Sequence, residues 1–176
     1  MFARPLIGVD YVFAKVGAIA SIIFAFSFLP QVVLFVGNML VSDSALDYFT
    51  GNLDVVWQVP LAVALLAVYY AVIGVAISSL TDRRIVAGAA IIGLFLVTSI
   101  TSGVLVGEDG TSSAAALLNV LAMPLYLRDL VFLGHIDPES PLSGLQGGGA
   151  FAIAIYVAIL CIGMGVLLYR YRWVER

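Results

Sequence analysis

Four stretches of the chain, Val16–Val41, Val55–Leu80, Ile85–Val106 and Ala150–Tyr169, contain no charged residue. Each is long enough to cross a hydrocarbon core of about 30 Å, which takes about 20 helical residues. In lipid, an open chain satisfies all its backbone N–H and C=O groups only as a helix, so these runs read as transmembrane helices. Composition agrees. At 62% hydrophobic, 11% charged and a mean hydropathy of +1.12, the chain lacks the polar surface that a soluble core of this size would need. The first run is too long for a signal-peptide core and no A-x-A site follows it, so no cleavable signal is expected.

The connections are Ser42–Asp54, the short Thr81–Arg84 and the long Gly107–Gly149. With four crossings, the N-terminal segment, Thr81–Arg84 and the C-terminal tail share one side. That side carries Arg4, Lys15, Arg83, Arg84, Arg170, Arg172 and Arg176, and the other carries only Arg128. The positive-inside rule therefore predicts a multi-pass protein of the cell membrane with both termini in the cytoplasm. Trp57, Tyr48, Tyr169, Tyr171 and Trp173 fall near the expected interfaces, where amphipathic rings prefer to sit.

A fifth apolar stretch, Ala114–Leu133, holds Asn119, Pro124 and the pair Arg128–Asp129. Its uncharged part, Ala114–Leu127, is short for a span, and a crossing there would carry the arginine-rich tail outside. It reads as a re-entrant or interfacial helix over 113–133 on the external face, opened by Thr111, Ser112 or Ser113 as N-cap. The expected fold is thus all-α. It is a single transmembrane domain over 1–176, a four-span helix bundle with that external helix and an N-terminal interfacial helix over 1–15.

Intramembrane catalysis or ion pumping needs ionisable groups at depth, and the four runs have none. A single cysteine, Cys161, and a single histidine, His135, exclude a disulfide framework and a metal site built from Cys and His. No G-x-x-x-x-G-K-[ST] phosphate loop is present, so the chain cannot hydrolyse ATP by itself, and no enzyme activity, metal or cofactor of its own is expected. Polar residues within the runs are few but share faces. Ser27, Gln31 and Asn38 are spaced by four and seven residues, beside Pro30, which removes a backbone hydrogen bond and should kink the helix. Thr98, Thr101 and Ser102 form a second such face. These residues either bond across helices or line a pathway. Gly103–Gly107 and the Ala150, Ala154, Ala158 ladder have the small-residue spacing that permits close helix packing.

The segment "ARPLIGVDYVFAK", residues 3–15, places Leu6, Val9, Val12, Phe13 and Val16 at helical spacing with Arg4, Asp10 and Lys15 between them. Pro5 suits a helix start, so the segment reads as a short amphipathic helix along the membrane face.

Followed by a long span with a central proline ("FSFLPQVVLF"), this segment resembles the cytoplasmic loop and third span of type-2 ABC exporter permeases. In that family an Arg-Pro opens the loop, an aromatic residue follows and a Lys enters the span; Arg4, Pro5, Tyr11 and Lys15 match. The layout also resembles the family's: a span ending "ISSLTDRR", an apolar span, an external re-entrant segment, a last span and the basic-aromatic tail "LLYRYRWVER". The resemblance implies a permease subunit that pairs with a second copy or a homologous subunit in the bilayer. It further implies a cytoplasmic ABC ATPase partner, which would bind ATP and magnesium. On it, Arg4, Pro5, Asp10, Tyr11 and Lys15, with Arg83 and Arg84, couple to the ATPase. Ser27, Pro30, Gln31, Asn38, Thr98, Thr101 and Ser102 are candidates to line the route. Asn119, Pro124, Arg128 and Asp129 are candidates for the external gate. No nucleic-acid partner is implied. The family has two spans ahead of this loop, so the resemblance implies a piece of a longer permease, or a truncated one completed by another chain. The other reading is a non-transporting membrane subunit for assembly or regulation.

Overall fold

The computed structural model describes residues 8–107 and 113–172, and all regular structure among them is helical. Four helices are long and apolar enough to cross a membrane: α1 (Gly8–Val41), α3 (Leu53–Ser79), α4 (Arg84–Val106) and α6 (Gly148–Arg172). This is the make-up of a transmembrane helix bundle and is compatible with a multi-pass membrane protein. The short α2 (Ala45–Gly51) lies in the first connection, capped by Ser44, whose hydroxyl accepts from the Asp47 N–H. A 3-10 helix (Ser113–Leu118) and α5 (Met123–Leu133) lie in the third.

Two elements differ from the sequence-based expectation. Residues 8–15 do not form a helix of their own; they are the first turns of α1, which continues unbroken through Pro30. Val12 and Val16 are buried against α3 and α6, so the start of α1 is held within the bundle. Arg4 and Pro5 lie outside the described residues. Second, 113–133 is two helices rather than one. Pro124 has no N–H to donate, and its ring would clash with the carbonyl four residues back at Val120. Proline is tolerated in a first turn, and Pro124 occupies the first turn of α5, after a non-helical turn at Asn119–Ala122. Helix α5 stops at Gly134, whose left-handed φ of 73° suits glycine and whose N–H bonds the Leu130 carbonyl. Of the capping candidates, Thr111 and Ser112 lie outside the described residues, and Ser113 is the first residue of the 3-10 helix.

Helix α3 is the centre, with α1, α4, α5 and α6 all packed on it. One core joins α1, α3 and α6 through Val12, Val16, Val72, Val75 and Leu167. The other joins α3, α5 and α6 through Tyr69, Met123, Leu127, Ala152 and Tyr156. The close helix crossing is at Gly163, where a Cβ would stand 2.6 Å from Val72 Cγ1. The small-residue spacings noted in the sequence are not where helices meet: Ala150, Ala154 and Ala158 are exposed, and a Cβ on Gly103 would meet open space.

Candidate functional site

The turn between the 3-10 helix and α5 leaves backbone carbonyls that no helix can take up, because two helices end and start there. Hydroxyls from α3 take them. Tyr69 donates to the Val120 carbonyl and Tyr70 to the Leu121 carbonyl, both at 2.8 Å. From α4, the Ser99 hydroxyl donates to Asn119 Oδ1 at 3.0 Å, and the same oxygen accepts from the Ala122 N–H at 3.1 Å. The turn is therefore fastened near the middle of α3 and to the C-terminal half of α4. Ring contacts stiffen the clamp: Tyr69 stacks on Tyr156 at 5.1 Å, and Tyr70 meets Phe95 edge-on at 5.8 Å. Tyr156 in turn donates to the Leu65 carbonyl of α3. Asn119 and Pro124 thus act together as parts of one fastened turn, Pro124 being fully buried. Tyr69, Tyr70, Ser99 and Tyr156 were not among the residues singled out in the sequence. The signal that could have found them is the tyrosine pair of "AVYYAV" in the middle of an apolar run, far from the interface where tyrosine prefers to lie.

From that turn α5 runs back along α3, with α1 on another flank of α3, and a cavity of about 360 Å³ lies between the three helices. Ser27 and Gln31 of α1, Ala62 and Leu66 of α3, and Pro124 and Arg128 of α5 line it. Two sets of residues that the sequence could only place on separate elements are brought together here: the polar face of α1 and the charged part of α5. Arg128 points its guanidinium into half-exposed space while donating through Nε (3.0 Å) and Nη2 (2.7 Å) to one oxygen of Asp129, whose side chain is nearly buried. A second, larger groove of about 570 Å³ adjoins it, sharing Gln31 and Val59 and running past Asn38 toward Tyr48 and Phe49 of α2.

At the opposite end of α3, the start of α1 meets the end of α6. Lys15 Nζ donates to the Tyr171 hydroxyl at 3.0 Å, and the Tyr11 and Tyr171 rings lie 5.2 Å apart. The ammonium also sits 5.9 Å and 5.6 Å from those two ring centroids, within cation–π range. Tyr11 and Lys15 are thus brought together with a tail residue that the sequence assigned only to an interface. Asp10 is exposed on the same turns, while Arg83 and Arg84 are exposed at the start of α4.

The polar face of α4 lines none of these cavities. Thr98 bonds back to the Leu94 carbonyl, Thr101 is exposed and Ser102 is buried. Pro30 is exposed within α1. His135 is exposed, its Nδ1 at 2.9 Å from the Ile136 carbonyl, and Cys161 is exposed on α6. Among the described residues no three His, Cys, Asp or Glu side chains gather as a metal site.

Against known proteins the chain stands apart: no family model, no curated protein and no solved structure matches it.

Proposed function

We propose that the chain is a membrane permease subunit of an ATP-driven exporter of the type-2 ABC class, driven by a separate cytoplasmic ATPase. The observation that carries this reading is the cluster of Tyr11, Lys15 and Tyr171. It ties the segment with the family-like Arg-Pro, aromatic and Lys order to the basic-aromatic tail, at the end of the bundle where the basic residues collect. A push on that end would be passed to α1 and α6 as a unit, because Val12, Val16 and Leu167 are packed into the same core on α3. On this reading residues 8–15 lie at the cytoplasmic face of the cell membrane, and both termini are cytoplasmic. The Asn119–Ala122 turn enters the membrane from outside and returns through α5. The fastening of its carbonyls by Tyr69 and Tyr70 supports that, since an unmet carbonyl costs several kcal/mol in lipid. The route follows Ser27 and Gln31 past the segment around Arg128, with Asn119, Pro124 and Asp129 holding the outer gate.

The test is affinity purification of the full chain from its native membrane, followed by assay of bound ATPase. The expected result is a co-purified P-loop ATPase whose hydrolysis loses its response to the permease in Lys15→Glu and Arg4→Glu, with the helical circular dichroism intact. Isolation with no ATPase and no second permease would replace this reading with that of a non-transporting assembly subunit.

A further inference from the structure

We propose that the cavity between α1, α3 and α5 binds a bilayer lipid with an anionic headgroup, held by Arg128. This deepens the permease reading by naming the ligand class of one site on its route, and the binding test uses the chain without any ATPase, so the two readings fail separately.

The inference starts from depth. The cavity is lined on α3 from Val59 to Leu66, which lies about 9 to 20 Å along the helix from its start at Leu53 at about 1.5 Å per residue. That stretch is inside the apolar run, so a guanidinium there is costly unless it is paired and solvated. Asp129 supplies a pair but only in part. It engages Nε and one Nη2 position and is itself largely buried, whereas Arg128 is 53% exposed. Among the described residues nothing else takes Nη1 or the second Nη2 hydrogen, which form a forked donor edge, the geometry that takes a phosphate or carboxylate in two parallel bonds. The positive member of the pair is therefore the one the cavity meets. Gln31 adds an amide donor, and Ser27 a hydroxyl, on the facing wall.

The remaining walls are hydrocarbon: Ala62, Leu66 and Leu125. A small soluble anion would leave them wet, whereas a lipid covers them with its acyl chain while its headgroup meets Arg128. The bilayer also gives such a ligand direct access, because none of the most apolar window of α1, one wall of the cavity, is buried within the bundle.

The full chain would be purified in mild detergent with equal amounts of phosphatidylglycerol and phosphatidylcholine, and the lipid retained would be counted by native mass spectrometry. The expected result is about tenfold preference for phosphatidylglycerol, the worth of one charge-assisted pair. Arg128→Gln should erase the preference, and Arg128→Lys, which keeps the charge but loses the fork, should retain only part of it. Leu125→Trp, which narrows the cavity without touching the ion pair, should lower retention of phosphatidylglycerol by a similar factor, and it decides the matter if Arg128→Gln does not fold. Equal retention of both lipids, or an unchanged preference in Arg128→Gln, would overturn the proposal. So would displacement of the lipid by millimolar glycerol phosphate, since a soluble anion would then be the ligand.

Discussion

Helices α1 and α3 are nearly equal in hydropathy, 2.3 and 2.4 over their most apolar windows, yet none of the α1 window is buried against 44% of the α3 window. Apolar character is thus no guide to which helix lies at the centre. In lipid there is little hydrophobic gain from pressing one apolar helix on another, so association rests on close packing and hydrogen bonds. Helix α3 is built for both. Its buried face offers the small side chains of Ala62, Ala67, Ala71 and Ala76, and its hydroxyls at Tyr69 and Tyr70 reach out to the turn. The middle of α1 instead carries Phe24, Phe26 and Phe28, and Phe26 is 79% exposed. Such a surface suits lipid chains.

That contrast can be broken at graded points, each by SDS-titrated unfolding in mixed micelles followed by circular dichroism. The largest effect is expected from Gly163→Leu, where new atoms must enter space already held by Val72 of α3; a loss of about 3 kcal/mol follows from overpacking. Tyr69→Phe should come next, at about 1 to 3 kcal/mol, because it leaves the Val120 carbonyl without its donor while keeping the ring stack on Tyr156. If Tyr69→Phe is neutral, the turn is held by packing rather than by the hydroxyl. Lys15→Met removes the bond to Tyr171 and the cation–π contacts, and should cost about 1 kcal/mol. Phe26→Leu should change stability by less than about 0.5 kcal/mol. A loss at Phe26 comparable to that at Gly163 would mean that the exposed face of α1 is itself a protein contact, and would end the contrast with α3.

Much of the helical layout was legible because a run of uncharged apolar residues has few alternatives. Boundaries for α3, α4 and α6 fall within a few residues of those read from charge placement alone, and α1 ends at Val41 as expected. Among the described residues α1 begins ahead of its uncharged run, which the sequence does not reveal because periodicity over 8–15 is the same whether those turns lie beside the bundle or within it; Val12 decides, fully buried between α3 and α6. Pro124 marked the break at Asn119–Ala122 only as one option, since it has no N–H for the Val120 carbonyl, yet Pro30 and Pro60 sit inside helices that continue past them. The small-residue spacings misled for a physical reason. Glycine and alanine at intervals of four are common in membrane helices, and only the position of the facing helix separates Gly163, pressed on Val72, from Ala154 and Gly103, which face outward. For the candidate site, Ser27, Gln31, Pro124 and Arg128 could be picked out one by one as polar or helix-breaking residues in apolar surroundings. That they share a cavity could not, because sequence spacing carries no information across about a hundred residues of intervening chain.

By itself, then, the sequence determined the class of structure. Long uncharged runs leave an open chain no state but helix in an apolar solvent, and its few charges mark where those runs end. Which helix stands at the centre, which hydroxyl meets which carbonyl, and that Arg128 and Gln31 line one cavity were decided only by tertiary structure. Those outcomes depend on short-range fit between faces, and apolar side chains that look alike in composition differ in fit by a single methyl group.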